Sequence, residues 1–207
     1  MASTAAKLRA VEKRGGFIHL RAFCREGQLK EAIDILSETT HPKLLRINSD
    51  SVFSLLKACA EMKSLLEGKR VHAHMLKIGI EHSVSVDNKL IIMYTKCGSL
   101  EDARHVFDKM YGRNVVSWTA VIGGYVTQGQ YEEALALFYK MKEDRGMKPD
   151  NFIFPAVLKA CAGLSLQEGK EVHGYIAASG LEQDVFVENS LVEMYGSAKY
   201  RGCRASV

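Results

Sequence analysis

No stretch of the 207 residues approaches the roughly 18 consecutive apolar residues that a membrane-crossing helix needs, so no membrane partner is expected. Cys-x-x-Cys is absent. The five cysteines are an odd number scattered along the chain, which argues against a disulfide framework and a zinc site and fits a reducing compartment. There is no Gly-x-Gly-x-x-Gly and no phosphate loop. The His-x-Glu and later Pro-Cys-x-x-Cys that a zinc deaminase requires are also missing. His72 and His74, two residues apart, fall on different sides of a helix and cannot share a metal. No catalytic activity and no cofactor are therefore expected. Charge of one sign is scarce as well, at a net +4. What excess exists sits in residues 1–48, with nine Lys/Arg against five Asp/Glu; the remainder is balanced. Residues 1–11 hold Ser3, Thr4, Lys7 and Arg9 and no acid, in the manner of an organelle transit peptide or of an ordinary frayed terminus.

What is present is repetition. A composition of 47% hydrophobic and 25% charged residues can bury a core. Phe23–Leu36 matches Tyr125–Phe138, and Leu56-Lys57-Ala58-Cys59-Ala60 matches Leu158-Lys159-Ala160-Cys161-Ala162. Further on, Glu67-Gly68-Lys69 matches Glu168-Gly169-Lys170, His72 matches His173, and Met93-Tyr94 matches Met194-Tyr195. The unit divides into segments 13–48, 49–83 and 84–114, then 115–150, 151–184 and a shortened 185–207, after a tail at 1–12. Each segment reads as two helices around a small break. In 115–150 the first helix is expected over Val116–Tyr125 and the second over Tyr131–Met141. Ala134, Leu135, Leu137, Phe138 and Met141 form one apolar stripe of that second helix. In 84–114, Ser99 with Asp102 fits a capping box, and Ala103, Val106, Phe107 and Met110 form the stripe. A helical pair of this size cannot bury its apolar face alone, whereas stacked pairs can. The expected fold is all-α, a right-handed α-solenoid of stacked helix-turn-helix hairpins, without strands. Cys24, Cys59 and Cys161 share a late first-helix position and read as packing; Cys97 and Cys203 could be exposed.

The segment NVVSWTAVIGGYVTQGQYEEALALFYKMKEDRGMKPD resembles the pentatricopeptide repeat, and MYTKCGSLEDARHVFDKM resembles its short variant. The succession of 36, 35, 31, 36 and 34 residues is similar to the P–L–S alternation of plant organellar members. The resemblance implies a single-stranded RNA partner, one nucleotide per repeat, 5′ to 3′ from the first repeat to the last, in a chloroplast or mitochondrion. It implies that the fifth and last residues of each repeat choose the base. Those pairs are Phe17–Asn48, Phe53–Ser83, Asn88–Asn114, Thr119–Asp150 and Pro155–Asp184, with Asn189 the fifth residue of a sixth repeat. It further implies a pyrimidine, preferably C, at Asn88–Asn114, G at Thr119–Asp150, and a weak preference for U at Pro155–Asp184. An Asn amide both donates and accepts, and a Thr hydroxyl does so on a shorter arm. Second residues would sandwich bases: Ser85, Val116, Phe152 and Phe186. Phe17 and Phe53 depart from the usual polar fifth residue. The final segment lacks a second helix, so the C-terminal end should expose apolar surface, as expected for contact with a protein partner, for a second copy of the chain, or for a fragment of a longer editing factor. A protein-binding helical scaffold is the alternative function.

Overall fold

The computed structural model describes residues 29–38, 49–80, 82–144 and 146–204, with side chains described outside 35–38, 49–51 and 198–204. Expectations placed on residues 1–11, Phe17, Cys24, Asn48 and the side chain of Cys203 lie outside the described residues.

Among the described residues the chain is helical throughout, with no strand. The helices are α1 (Leu29–Glu38), α2 (Ser49–Glu61), α3 (Leu65–Lys77), α4 (Val84–Lys96), α5 (Leu100–Lys109), α6 (Val115–Thr127), α7 (Tyr131–Glu143), α8 (Phe154–Leu164), α9 (Leu166–Ala178) and α10 (Val185–Arg204). They form two compact units, residues 1–110 and 111–207.

In the first unit α2 and α4, the first helices of two successive hairpins, lie side by side, and α3 and α5 pack against them. α1 packs on α3. In the second unit α6, α8 and α10 form the equivalent layer, each packed on the next, with α7 and α9 behind. The apolar stripe of α7 is buried as its spacing requires, and so is that of α5. In the second unit the core is aromatic: Phe138 meets Phe154 at 6.2 Å and Tyr175 at 6.1 Å, edge to face. α6 and α7 run a little past the expected bounds, to Thr127 and Glu143.

Two pieces of local chemistry recur at the repeat offset. A Cβ added to Gly68 would overlap the Met93 side chain, and one added to Gly169 would overlap Met194. Each glycine is a notch in a second helix that admits a buried methionine from the next hairpin. Likewise His72 shares a hydrogen bond with the Tyr94 hydroxyl (2.8 Å), and His173 with that of Tyr195 (2.9 Å). The histidines are inter-hairpin joints.

The Ser99–Asp102 capping box does not form. Ser99 Oγ donates to Asp102 Oδ2 at 2.6 Å and makes no cap to the backbone. Lys69 Nζ meets the same Asp102 oxygen at 2.7 Å, and the Ser99 N–H is already bonded to the Tyr94 carbonyl at 2.9 Å. Cys97 is half-buried, its thiol donating to the Cys59 carbonyl at 3.6 Å, and burial pushes its pKa up.

The hairpin turns show why the last segment differs. Gly98 and Gly129 close their turns at φ 81° and 75°, where a side chain is strained. The counterpart of Gly98 is Lys199, and α10 runs on without a turn through Arg204.

Candidate nucleic-acid interface

Ser83, Asn114 and Asp184, each the last residue of its segment, cap the helix that follows, and Asp150 caps the turn that leads into α8. Ser83 Oγ accepts from the Val86 N–H at 3.3 Å. Asn114 and Ser117 form a reciprocal capping box: Asn114 Oδ1 accepts from the Ser117 N–H (3.0 Å) and Ser117 Oγ from the Asn114 N–H (3.2 Å). Asp150 Oδ1 accepts from the N–H groups of Phe152 and Ile153, at 3.1 and 3.2 Å. Asp184 Oδ1 does the same for Phe186 and Val187, at 3.0 and 3.3 Å. Unsatisfied N–H groups at a helix start favour such residues, and carboxylates most, because of the helix dipole.

From each cap, the second residue of the next segment is two positions on and the fifth is five. The two are thus separated by three residues and share a helix face. In the second unit this gives three rows at the starts of three adjacent helices: Val116 with Thr119 on α6, Phe186 with Asn189 on α10, and Phe152, in the turn that leads into α8, with Pro155 in its first turn. The second residues are strongly exposed, at 53%, 70% and 66%. Large apolar groups left in water on successive helices invite a flat apolar ligand. Thr119 is half-buried, with its hydroxyl proton donated to the Val115 carbonyl at 2.8 Å, so its lone pairs face outward as acceptors. Pro155 sits in the first turn of α8, where no N–H is needed. Asn189 is exposed.

Sequence reasoning missed Asn151. Its amide donates to Asp184 Oδ2 at 2.8 Å and ties the start of one hairpin to the cap of the next. That bond, with the Val187 and Phe186 N–H groups, holds the Asp184 carboxyl below its usual range despite some desolvation. Asp184 therefore stays an anion and an acceptor. The signal was available only as an Asx residue directly after a cap.

In the first unit the rows differ. Ser85 is exposed, but Asn88 is buried at 6%, so a ligand reaches its amide only when neighbouring side chains move. Phe53 stands half-buried at the fifth position of its segment.

A family profile described as the PPR repeat family matches residues 113–163, and a PPR repeat profile matches residues 20–39 and 88–115. A chloroplastic pentatricopeptide repeat-containing protein of Arabidopsis thaliana is 40% identical over 183 residues, which is 87% of this chain and 22% of that protein. A mitochondrial one from the same plant is 35% identical over 178 residues, 86% of this chain and 23% of that protein. The chain thus spans less than a quarter of the length of these relatives. Among solved structures, the pentatricopeptide repeat protein PPR10 of maize, crystallised with an 18-nucleotide psaJ RNA element, matches with a TM-score of 0.71 at 23% identity. The match covers 98% of this chain and 31% of that one, and the likeness is one of fold.

Proposed function

The chain belongs to the pentatricopeptide repeat family, and on that footing we propose that it binds single-stranded RNA, one nucleotide per repeat, along the rows presented by α6, α8 and α10. The observation that carries the reading is the repeated triad of capping residue, exposed second residue and fifth residue at the start of each first helix. Phe152 and Phe186 offer rings for base stacking, an interaction of about 1–3 kcal/mol per base. Thr119 and Asp150 present acceptors to a base edge, the part of a single-stranded nucleotide that sequence-specific proteins read. Asp184, kept ionised by Asn151, is a further acceptor at the cap that holds Phe186. The chain acts as an adaptor and leaves the chemistry of editing, splicing, stabilisation or processing to other proteins. The alternation of segment lengths supports the P–L–S class, and the chloroplastic and mitochondrial names of the relatives support an organellar site of action.

Gel-shift with a short RNA carrying G at the Thr119 position, a scrambled RNA and the matching DNA tests the reading. The G-bearing RNA binds best, and Thr119→Asn moves the preference at that nucleotide to a pyrimidine. Equal binding to all three ligands, or an unchanged base profile in the variant, rejects base reading by this row.

One observation favours a second contact, with protein. Val192 on α10 is 68% exposed, whereas its counterpart Ile91 on α4 is fully buried. Both helices pack on the preceding hairpin, α4 on α2 and α3, α10 on α8 and α9. The difference is α5, which packs on α4; among the described residues no helix packs on α10 in that place. The α10 face is suited to an amphipathic helix with an α5-like stripe.

A further inference from the structure

We infer that Asn151 is a positioning residue for base stacking: its amide fastens the turn that carries Phe152 to the cap that holds Phe186, and so fixes the gap in which the two rings take one base. This rests on the RNA-binding reading above and adds to it the group that sets the ring spacing.

Phe152 and Phe186 are both strongly exposed, and they belong to successive hairpins whose first helices, α8 and α10, pack directly on each other. Packed helices lie about 8–10 Å apart. A base in van der Waals contact at about 3.5 Å on each face needs rings about 7 Å apart. Helix packing alone therefore brings the rings near that spacing without setting it. Phe186 lies in the first turn of α10, where the helix holds its backbone. Phe152 stands in the turn before α8, and the bonds that shape this turn run back to Asp150. They do not attach it to the next hairpin. Asn151 does. Its Nδ2 donates to Asp184 Oδ2 at 2.8 Å, while Asp184 Oδ1 accepts from the Phe186 and Val187 N–H groups at 3.0 and 3.3 Å. One carboxylate thus joins the neighbour of Phe152 to the backbone of Phe186. An ionised acceptor makes such a bond about twice as strong as a neutral one. Asn151 is also the largest cause that holds the Asp184 carboxyl below its usual range.

The other segment starts supply the control. Val84 and Val115 open their segments without a side-chain donor, and the second residues Ser85 and Val116 are not aromatic. In the repeat copy of this junction Ser49 and Ser83 replace Asn151 and Asp184, and Asp50 and Ser85 replace Phe152 and Phe186. The amide therefore occurs where an aromatic ring stands on each side of the gap, and is missing where the rings are missing. The caps at Ser83 and Asn114 form within their own segment junctions, so the stack of hairpins does not depend on such a tie.

The test crosses protein variants with RNA variants, using the full chain. One RNA carries G at the nucleotide matched to Thr119 and an ordinary base at the next nucleotide on the 3′ side. The second RNA is identical but abasic at that next nucleotide. Affinity for both is measured by fluorescence anisotropy, with circular dichroism to check helicity. The proteins are the parent, Asn151→Asp, Asn151→Asp combined with Asp184→Asn, and Phe186→Ala. Asn151→Asp sets two carboxylates against each other and breaks the tie. Adding Asp184→Asn restores it with donor and acceptor exchanged, because an amide caps a helix as well as a carboxylate does. The parent loses about tenfold in affinity when the base is removed. Asn151→Asp and Phe186→Ala lose little on the same removal and keep the preference for G at the Thr119 position. The combined change returns to the parent's ratio. A role confined to folding would weaken both RNAs by one factor and leave their ratio at the parent's value; that result in Asn151→Asp overturns the proposal. A combined change that stays as insensitive as Asn151→Asp overturns it too. A parent that binds the two RNAs equally overturns it while leaving the RNA reading intact. A parent that binds neither RNA rejects the RNA reading, and the positioning role with it.

Discussion

His72 is held between a tyrosine and a second histidine, and its environment makes acid a destabilising agent. Burial is the main cause that lowers its pKa, with His82, 6.5 Å away ring to ring, adding to it. Asp87 and Asp102 pull the other way, His105 adds to the lowering, and the Tyr94 hydroxyl bonds to Nδ1. His74 is lowered too, by burial and then by Lys77. A folded-state pKa below the ordinary value of about 6.5 means that the unfolded chain takes up the proton first as pH falls. Stability is thus retained above about pH 6.5 and declines below it, before the carboxylates titrate. Urea unfolding at pH 7.5 and 5.5 should show a lower midpoint at pH 5.5, and a smaller drop in His72→Gln. An undiminished drop in that variant assigns the effect elsewhere. The role of His72 as a joint was legible in the sequence, because His173 repeats it. Its partner was not, because the tyrosine lies 22 residues away on another helix.

At the scale of the helix, periodicity located the stripes of α5 and α7 residue for residue, since every stripe position must be buried for a hairpin to pack. Caps were less legible. The sequence pattern at Ser99 satisfies a capping box, but a lysine from another helix competes for Asp102, and no local pattern contains that competitor. The Gly68 and Gly169 motifs were visible as repeats, yet their reason needed the methionine that fills each notch. Gly169→Ala should cost about 1–3 kcal/mol in urea denaturation, the usual penalty for overpacking. The same change at Gly174, where a Cβ meets open space on the same helix, should be neutral or slightly stabilising. Equal effects at the two positions would remove steric overlap as the explanation.

At the scale of the whole chain, the register of the repeats made the rows of the candidate interface readable, because cap, second and fifth positions follow from counting. It hid the gathering of Lys57, Lys89 and Lys96, which line one cleft from α2 and α4 and of which only Lys57 repeats, as Lys159. The uncovered α10 face was readable only as a missing helix; the structure locates it at Val192. A synthetic peptide spanning residues 99–112, which carries the α5 stripe, should bind the chain in a fluorescence titration and lose affinity at least several-fold for Val192→Lys. No binding, or equal binding to both, removes that face as a helix site; self-association of the chain, lost in Val192→Lys, would name a second copy as its occupant.

The glycine notches carry one more consequence. Met93 and Met194 are buried with their side chains against glycine, where even one added carbon has no room. Oxidation of either thioether adds a polar oxygen to a side chain packed in that space. Peroxide therefore reaches these two thioethers only when a seam between hairpins opens, and a sulfoxide formed there would keep the seam from closing.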